Sequence, residues 1–286
     1  MRHRIDPKVD CVFKALLGAE GNRSLLIHFL NAVLGADLPR PITTVEIRNP
    51  YNDKEFLSDK LSIVDIKARD ARGRLYQVEL QLLTHRDLIA RIIYGWADLY
   101  SSLLQEGQDY GKLRPTYAIW LLGEVLLTDD PSYAHDIRLR DTAGRVFGEH
   151  GGIWLLEIAK FASEAVETEQ ERWVKFFKDG AKLDPDHLPH WMHTPEMRQA
   201  MSTLNSFSEK ENAYYAYQAR LEYQRVQRAM QQDMEERTQA LEKTRAELEQ
   251  SRAAEEQARA AETHEREAKE RALAEVEKLR RQLDGR

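Results

Sequence analysis

The spacing of apolar and polar positions changes several times along the chain, and each change marks an element. Residues 7–17 and 22–34 follow a helical period. The second of these sets Leu25, Leu26, Phe29, Leu30 and Val33 on one face and stops at Gly35. Pro39 and Pro41 punctuate a loop, after which 42–47 alternates like a strand. Two more alternating stretches, 61–69 and 75–83, are joined by a tight loop. Residues 87–106 then form an amphipathic helix with Leu88, Ile92, Trp96, Leu99 and Leu103 in line and Gly107 past its end. The apolar run 116–122 reads as a buried strand. Two further strands, 136–140 and 153–158, flank the turn signals at Gly144 and Gly148. The order is helix, three strands, helix, strand, which predicts an α/β fold with a mixed central sheet flanked by helices.

From residue 196 to residue 284 there is neither Gly nor Pro, and Glu, Arg, Ala and Gln dominate, so this stretch reads as one long helical region. The expected division is a globular domain over 1–200 and a charged helical or coiled-coil tail over 201–286. With Leu241 and Leu248 at position a, nine of sixteen a and d positions from Met230 to Leu283 are apolar. That seam is clear at both ends and weak in the middle, and it predicts a homodimer paired through the tail.

Charge narrows the partners. The net charge is -6, and residues 220–286 contribute 15 basic and 16 acidic side chains, so about -5 belongs to the body. A generic basic DNA binder does not look like this. Residues 40–91 nonetheless carry ten Lys or Arg against eight Asp or Glu, a local reversal that could face nucleic acid. Cys11 is the only cysteine, which excludes an intrachain disulfide or a cysteine metal cage and fits a reducing cytoplasm. The first ten residues have no apolar core, and the longest apolar run is interrupted by Glu124, so neither a signal peptide nor a membrane span is expected.

The chemistry concentrates in one hairpin. Alternation puts Asp65 and Lys67 on one face of the first arm, and Gln77, Glu79 and Gln81 on one face of the second. If Ala71, Arg72 and Gly73 form a three-residue loop with Gly73 left-handed, opposed residues have numbers summing to 144. Asp65 is then expected opposite Glu79. Opposed β-carbons lie about 4.5–5.5 Å apart, so two carboxylates there repel unless a cation joins them. Two hard oxygen donors, with waters and a phosphate oxygen, suit Mg²⁺. The competing reading makes Asp65 and Glu79 solvated residues on a half-exposed sheet, balanced by Lys67 or Arg74.

The same residues resemble the PD-(D/E)xK nuclease superfamily, whose core has this element order, an acidic residue on the second strand and (D/E)-x-K on the third. Asp65 matches the first position, and Glu79-Leu80-Gln81 matches the second with Gln for Lys. That form resembles the Rpn family of recombination-promoting nucleases and transposases. Asp10-Cys11-Val12-Phe13-Lys14 resembles its D-x-x-F-K, Leu30-Asn31-Ala32-Val33-Leu34 its F-L-N-x-x-L, and Arg91-Ile92-Ile93-Tyr94 its R-x-x-Y. Gly107-Gln108-Asp109-Tyr110 resembles its G-x-x-Y, and Leu156-Glu157-Ile158-Ala159-Lys160-Phe161 its E-L-x-K-F. The resemblance covers roughly residues 5–225.

It implies a Mg²⁺-dependent DNA endonuclease, with Mn²⁺ as an alternative ion, linked to recombination or mobile elements. Asp65 and Glu79 would be metal ligands and Gln81 the water-positioning residue. Asp10 and Lys14 could face the same cleft, as could Arg91 and Tyr94 as phosphate contacts. Gln81 has no charge, so either it only positions, or a nearby base such as Lys67 supplies the cation. The alternative is a catalytically inactive relic of the fold acting as a coiled-coil interaction or DNA-binding protein. His187, His190 and His193 offer another candidate metal site, but Pro189 breaks the helical spacing and a surface loop accounts for them better.

Overall fold

Strand β4 (Thr116–Leu122) is buried along its whole length, and its two faces belong to two different cores. Tyr117, Ile119 and Leu121 join Phe13, Leu30, Phe176 and Met197 on one side. Ala118, Trp120 and Leu122 join Leu88 and Ile92 on the other. A strand apolar on both faces must lie inside a sheet covered on both faces, and the chain supplies the covers. The computed structural model describes residues 3–48 and 66–284.

In chain order the elements are α1 (Asp10–Leu17), α2 (Arg23–Leu34), β1 (Val45–Arg48), β2 (Ile66–Asp70), β3 (Leu75–Gln81) and α3 (Leu88–Ser101). After β4 come β5 (Ala134–Ile137), β6 (Gly151–Glu157), α4 (Glu169–Asp179), α5 (Pro195–Glu209) and α6 (Glu211–Asp284). The six strands lie in the order β1-β2-β3-β4-β6-β5. β1, β2 and β3 are antiparallel, β3, β4 and β6 are parallel, and β5 returns antiparallel on β6. The mixed sheet between helical layers is the α/β architecture that the sequence predicts. α1, α2, α4 and α5 cover one face, whereas α3 covers the other.

Several boundaries move, each for a local reason. The expected strand 42–47 starts only at Val45, because Asn31 of α2 donates to Ile42 O and accepts from Ile42 N, both at 2.8 Å. That bond pair also explains the asparagine in its motif. The helix expected over 87–106 ends at Ser101, where the hydroxyls of Ser101 and Ser102 bond back to Asp98 O and Leu99 O. The strand expected over 136–140 ends at Ile137, since Arg138 turns away to pair with Asp37 and to stack 5.2 Å from the Trp154 ring. β6 begins two residues earlier than expected. At its start Gly151 has φ +87°, and a β-carbon there would lie 2.0 Å from Thr116 O. The long helical region is two helices: Lys210 takes φ −94°, ψ 112° between α5 and α6.

Two compact units make up the chain, Met1–Gln224 and Arg225–Arg286. In the first, the beginning of α6 is anchored by Tyr217, which is buried in the core and whose hydroxyl accepts from Asp6 N. The second is helical through Asp284 and exposes Met230, Met234, Leu241, Leu248, Leu273 and Val276. Among the described residues no helix is long and apolar enough to cross a membrane.

The end of β6 is held by a buried carboxylate. Glu157 has no solvent exposure; its Oε1 accepts from Leu126 N (2.5 Å) and Leu127 N (3.1 Å). Its Oε2 meets Lys160 Nζ at 2.5 Å and His135 Nε2 at 3.0 Å. Lys160 also donates to Leu127 O and Asp130 O. One ion pair thus fastens the β4–β5 loop to β6, which is the physical content of the motif around Glu157 and Lys160. Burial alone would push the Glu157 carboxyl up, but Lys160, the two backbone N–H groups and His135 outweigh it and hold it below the usual carboxylate range. A carboxylate lowered on folding stabilises fully above that range and loses its contribution as pH falls through the lowered value. Glu157→Gln is therefore expected to cost about 3 kcal/mol at pH 7 by leaving Lys160 uncompensated. Denaturant titrations across pH should show the gap to wild type narrowing in acid, and a gap independent of pH would contradict the assignment.

Candidate active site

The β2–β3 hairpin is set by its turn. Gly73 takes φ +80°, Gly73 N donates to Asp70 O and Asp70 N to Arg74 O, which leaves Ala71, Arg72 and Gly73 as the loop. Asp70 fastens it further: one carboxylate oxygen accepts from Arg72 N and Arg74 N, the other from Arg74 Nε (2.5 Å) and the Tyr76 hydroxyl (3.0 Å). The register that follows pairs Ile66 with Val78 and Lys67 with Gln77, so opposed numbers sum to 144 as expected. Asp65, the residue expected opposite Glu79, lies outside the described residues.

The two faces of β3 have different neighbours. Tyr76 and Val78 enter the larger core with Ile66 and Ala68. Gln77, Glu79 and Gln81 face the other side, where α3 lies. At Gln77 and Glu79 that polar face is not half-exposed. Glu79 is 3% exposed and Gln77 2%, so the reading of Glu79 as a solvated surface residue fails. α3 packs over this face: Trp96 Nε1 donates to Thr116 O, and a β-carbon on Gly95 would lie 3.6 Å from Gln77 Nε2. Gln77 in turn donates its amide N–H to Glu79 Oε1 at 2.8 Å.

The neighbouring strand completes the surroundings. In the parallel register Glu79 pairs with Trp120 and Gln81 with Leu122. Arg91, one turn into α3, donates from Nη1 to Gln81 Oε1 at 3.2 Å, and its guanidinium carbon lies 5.6 Å from the Trp120 ring centroid. Gln81 Nε2 donates to Leu83 O at 2.7 Å. Glu79, Gln81 and Arg91 are thereby brought to one face of the sheet, with Lys67 on the same face of the hairpin.

The other candidates are placed elsewhere. Tyr94 projects into solvent, 70% exposed. Asp10 and Lys14 sit on α1, in the layer on the opposite face from α3. Asp10 Oδ2 lies 3.7 Å from Arg220 Nε, and its Oδ1 is buried with no hydrogen-bond partner among the described residues. His187 pairs with Asp184, and His193 Nε2 contacts Leu188 O, in keeping with a surface loop. Among the described residues no three His, Cys, Asp or Glu side chains are grouped so as to hold a metal ion.

Two contributors escape sequence reasoning. Gln77 shares the polar face, but alternation does not reveal that it braces Glu79. Trp120 reads as core, and only the parallel register shows that its ring lies beside the acidic position.

Glu79 offers hard carboxylate oxygens, which suit a hard divalent cation better than a soft one. A family model for PD-(D/E)XK nuclease family transposases matches residues 7–234. Neither a curated protein nor a solved structure matches the chain.

Proposed function

The chain belongs to the PD-(D/E)XK nuclease family transposases, and on that premise we propose that it is a Mg²⁺-dependent DNA endonuclease acting in recombination or in the movement of mobile elements. The observation that carries this reading is Glu79. A carboxylate 3% exposed, on the strand position that the nuclease motif assigns to a metal ligand, is expensive as a structural choice. A divalent cation, with waters and a phosphate oxygen to complete its shell, is the ligand that a carboxylate at this position suits.

In this proposal Asp65 and Glu79 hold the ion, Mg²⁺ or Mn²⁺. When bound, the ion supplies Lewis-acid stabilisation of charge on the phosphate and activation of the attacking water. Gln77 fixes the orientation of the Glu79 carboxylate through the 2.8 Å bond. Gln81 positions the attacking water with the N–H and lone pair that its bonds to Leu83 O and Arg91 leave over. Water oxygen forms the new bond to phosphorus as the water gives a proton up to solvent, the P–O bond to the leaving nucleotide breaks, and the leaving oxygen takes up a proton from solvent.

Cutting both strands of a duplex calls for two such sites, and one hairpin provides one. We infer that a second copy of the chain joins through the tail, where Met230, Met234, Leu241 and Leu248 follow the heptad and are exposed in the single chain. The single cysteine suits a cytoplasmic protein.

Purified full-length protein with Mg²⁺ or Mn²⁺ is expected to nick supercoiled plasmid, and Asp65→Ala and Glu79→Ala are each expected to lower the rate by at least about 100-fold. Equal nicking by wild type and both variants would remove the site assignment; no nicking under either ion would favour the inactive relic. In light scattering, the full chain should have twice the monomer mass and a chain ending at Gln224 the monomer mass. A monomeric full chain would contradict pairing through the tail.

A further inference from the structure

The E-x-Q motif leaves a charge missing, because the amide of Gln81 cannot stabilise negative charge on a phosphate as a cationic side chain can. Helix α3 delivers one. Arg91 is fixed by two contacts of different kinds: the 3.2 Å hydrogen bond to Gln81 Oε1, and the face of Trp120, whose strand position is beside Glu79. Among the described residues it has no ion-pair partner. Other shielded guanidinium groups do: Arg74 pairs with Asp70, Arg138 with Asp37 and Asp136, and Arg172 with Glu169. A half-buried cation held by an amide oxygen and an indole ring, with no carboxylate to neutralise it, is prepared for an anion from outside.

We propose that Arg91 contacts the non-bridging oxygens of the scissile phosphate and supplies the positive charge that Gln81 lacks, with Gln81 acting as its positioning residue. This rests on the nuclease reading above and deepens it. The hydrogen bond from Gln81 Nε2 to Leu83 O orients the amide so that its oxygen is turned to Arg91. One guanidinium N–H is used on Gln81, which leaves the rest of the fork for bidentate contact with phosphate. Lys67 is the competing source of charge; it stands on β2 opposite Gln77. The two sources make different predictions, because only Arg91 depends on the residue at position 81.

The test is a cycle at positions 81 and 91 in full-length protein. Single-turnover nicking of plasmid DNA with Mg²⁺ should fall about 100-fold or more in Arg91→Met, which keeps the stem over Trp120 and removes the charge. Gln81→Lys combined with Arg91→Met restores the cation at the strand and should recover at least about tenfold of that loss. A purely structural role for Arg91 would show no such rescue. As a second readout, fluorescence anisotropy with duplex DNA in EDTA should give a shallower dependence of log affinity on log salt in Arg91→Met, by about one phosphate contact. Thermal melting within a few degrees of wild type excludes misfolding as the cause.

If wild type nicks and Arg91→Met nicks equally, or Lys67→Met alone loses the activity, the assignment to Arg91 is overturned while the nuclease reading stands. If wild type does not nick with either ion, the nuclease reading itself falls and takes this inference with it.

Discussion

Burying a carboxylate beneath a helix requires polar partners to replace the water it loses, and this requirement on Glu79 organises the α3 face of the sheet. Parity along β3 puts Glu79 on that face, and α3, anchored by Trp96 on β4, shuts out solvent. Gln77 then braces the carboxylate, Trp120 flanks it in register, and Arg91 is held two residues away at Gln81. Each of these residues would be interchangeable on an exposed sheet. Beneath α3 their identities are tied to one another.

The same face contains a second buried carboxylate, and the contrast is informative. Glu157, in the row of Gln81 and Leu122, is surrounded by Lys160, His135 and two backbone N–H groups, all from its own neighbourhood. Its donors tie a loop to a strand, so the group reads as a fastening of the fold. Glu79 instead accepts from Gln77, and two residues along its strand Gln81 holds a guanidinium that carries no ion pair among the described residues. Structural need accounts for the first arrangement; in the proposed reading the second serves a charged ligand.

Much of the hairpin was legible in the sequence because its determinants are local. Gly73 fixes the loop, the loop fixes the register, and period two then sorts the faces, all as the spacing predicts. β4 and the order of the core elements were legible for the same reason, from an uninterrupted apolar run between turn signals. Alternation, however, says which side a residue takes and not what covers that side, so the burial of Gln77 and Glu79 under α3 could not be read from it. The bond between Arg91 and Gln81 joins a helix to a strand, and the spacing within either element carries no trace of it. Asn31 shows the same limit: its two bonds to Ile42 shorten β1 at a distance of eleven residues along the chain.

In the proposed reading Glu79 is a metal ligand and not a buried residue of the fold alone. Calorimetric titration of Mg²⁺ and Mn²⁺ into the full-length protein tests it without relying on cleavage. Saturable binding of a divalent ion is expected, lost in Glu79→Gln while the fold, followed by circular dichroism, is retained. Binding of equal strength in the folded Glu79→Gln variant, or no binding to the wild type, would contradict it.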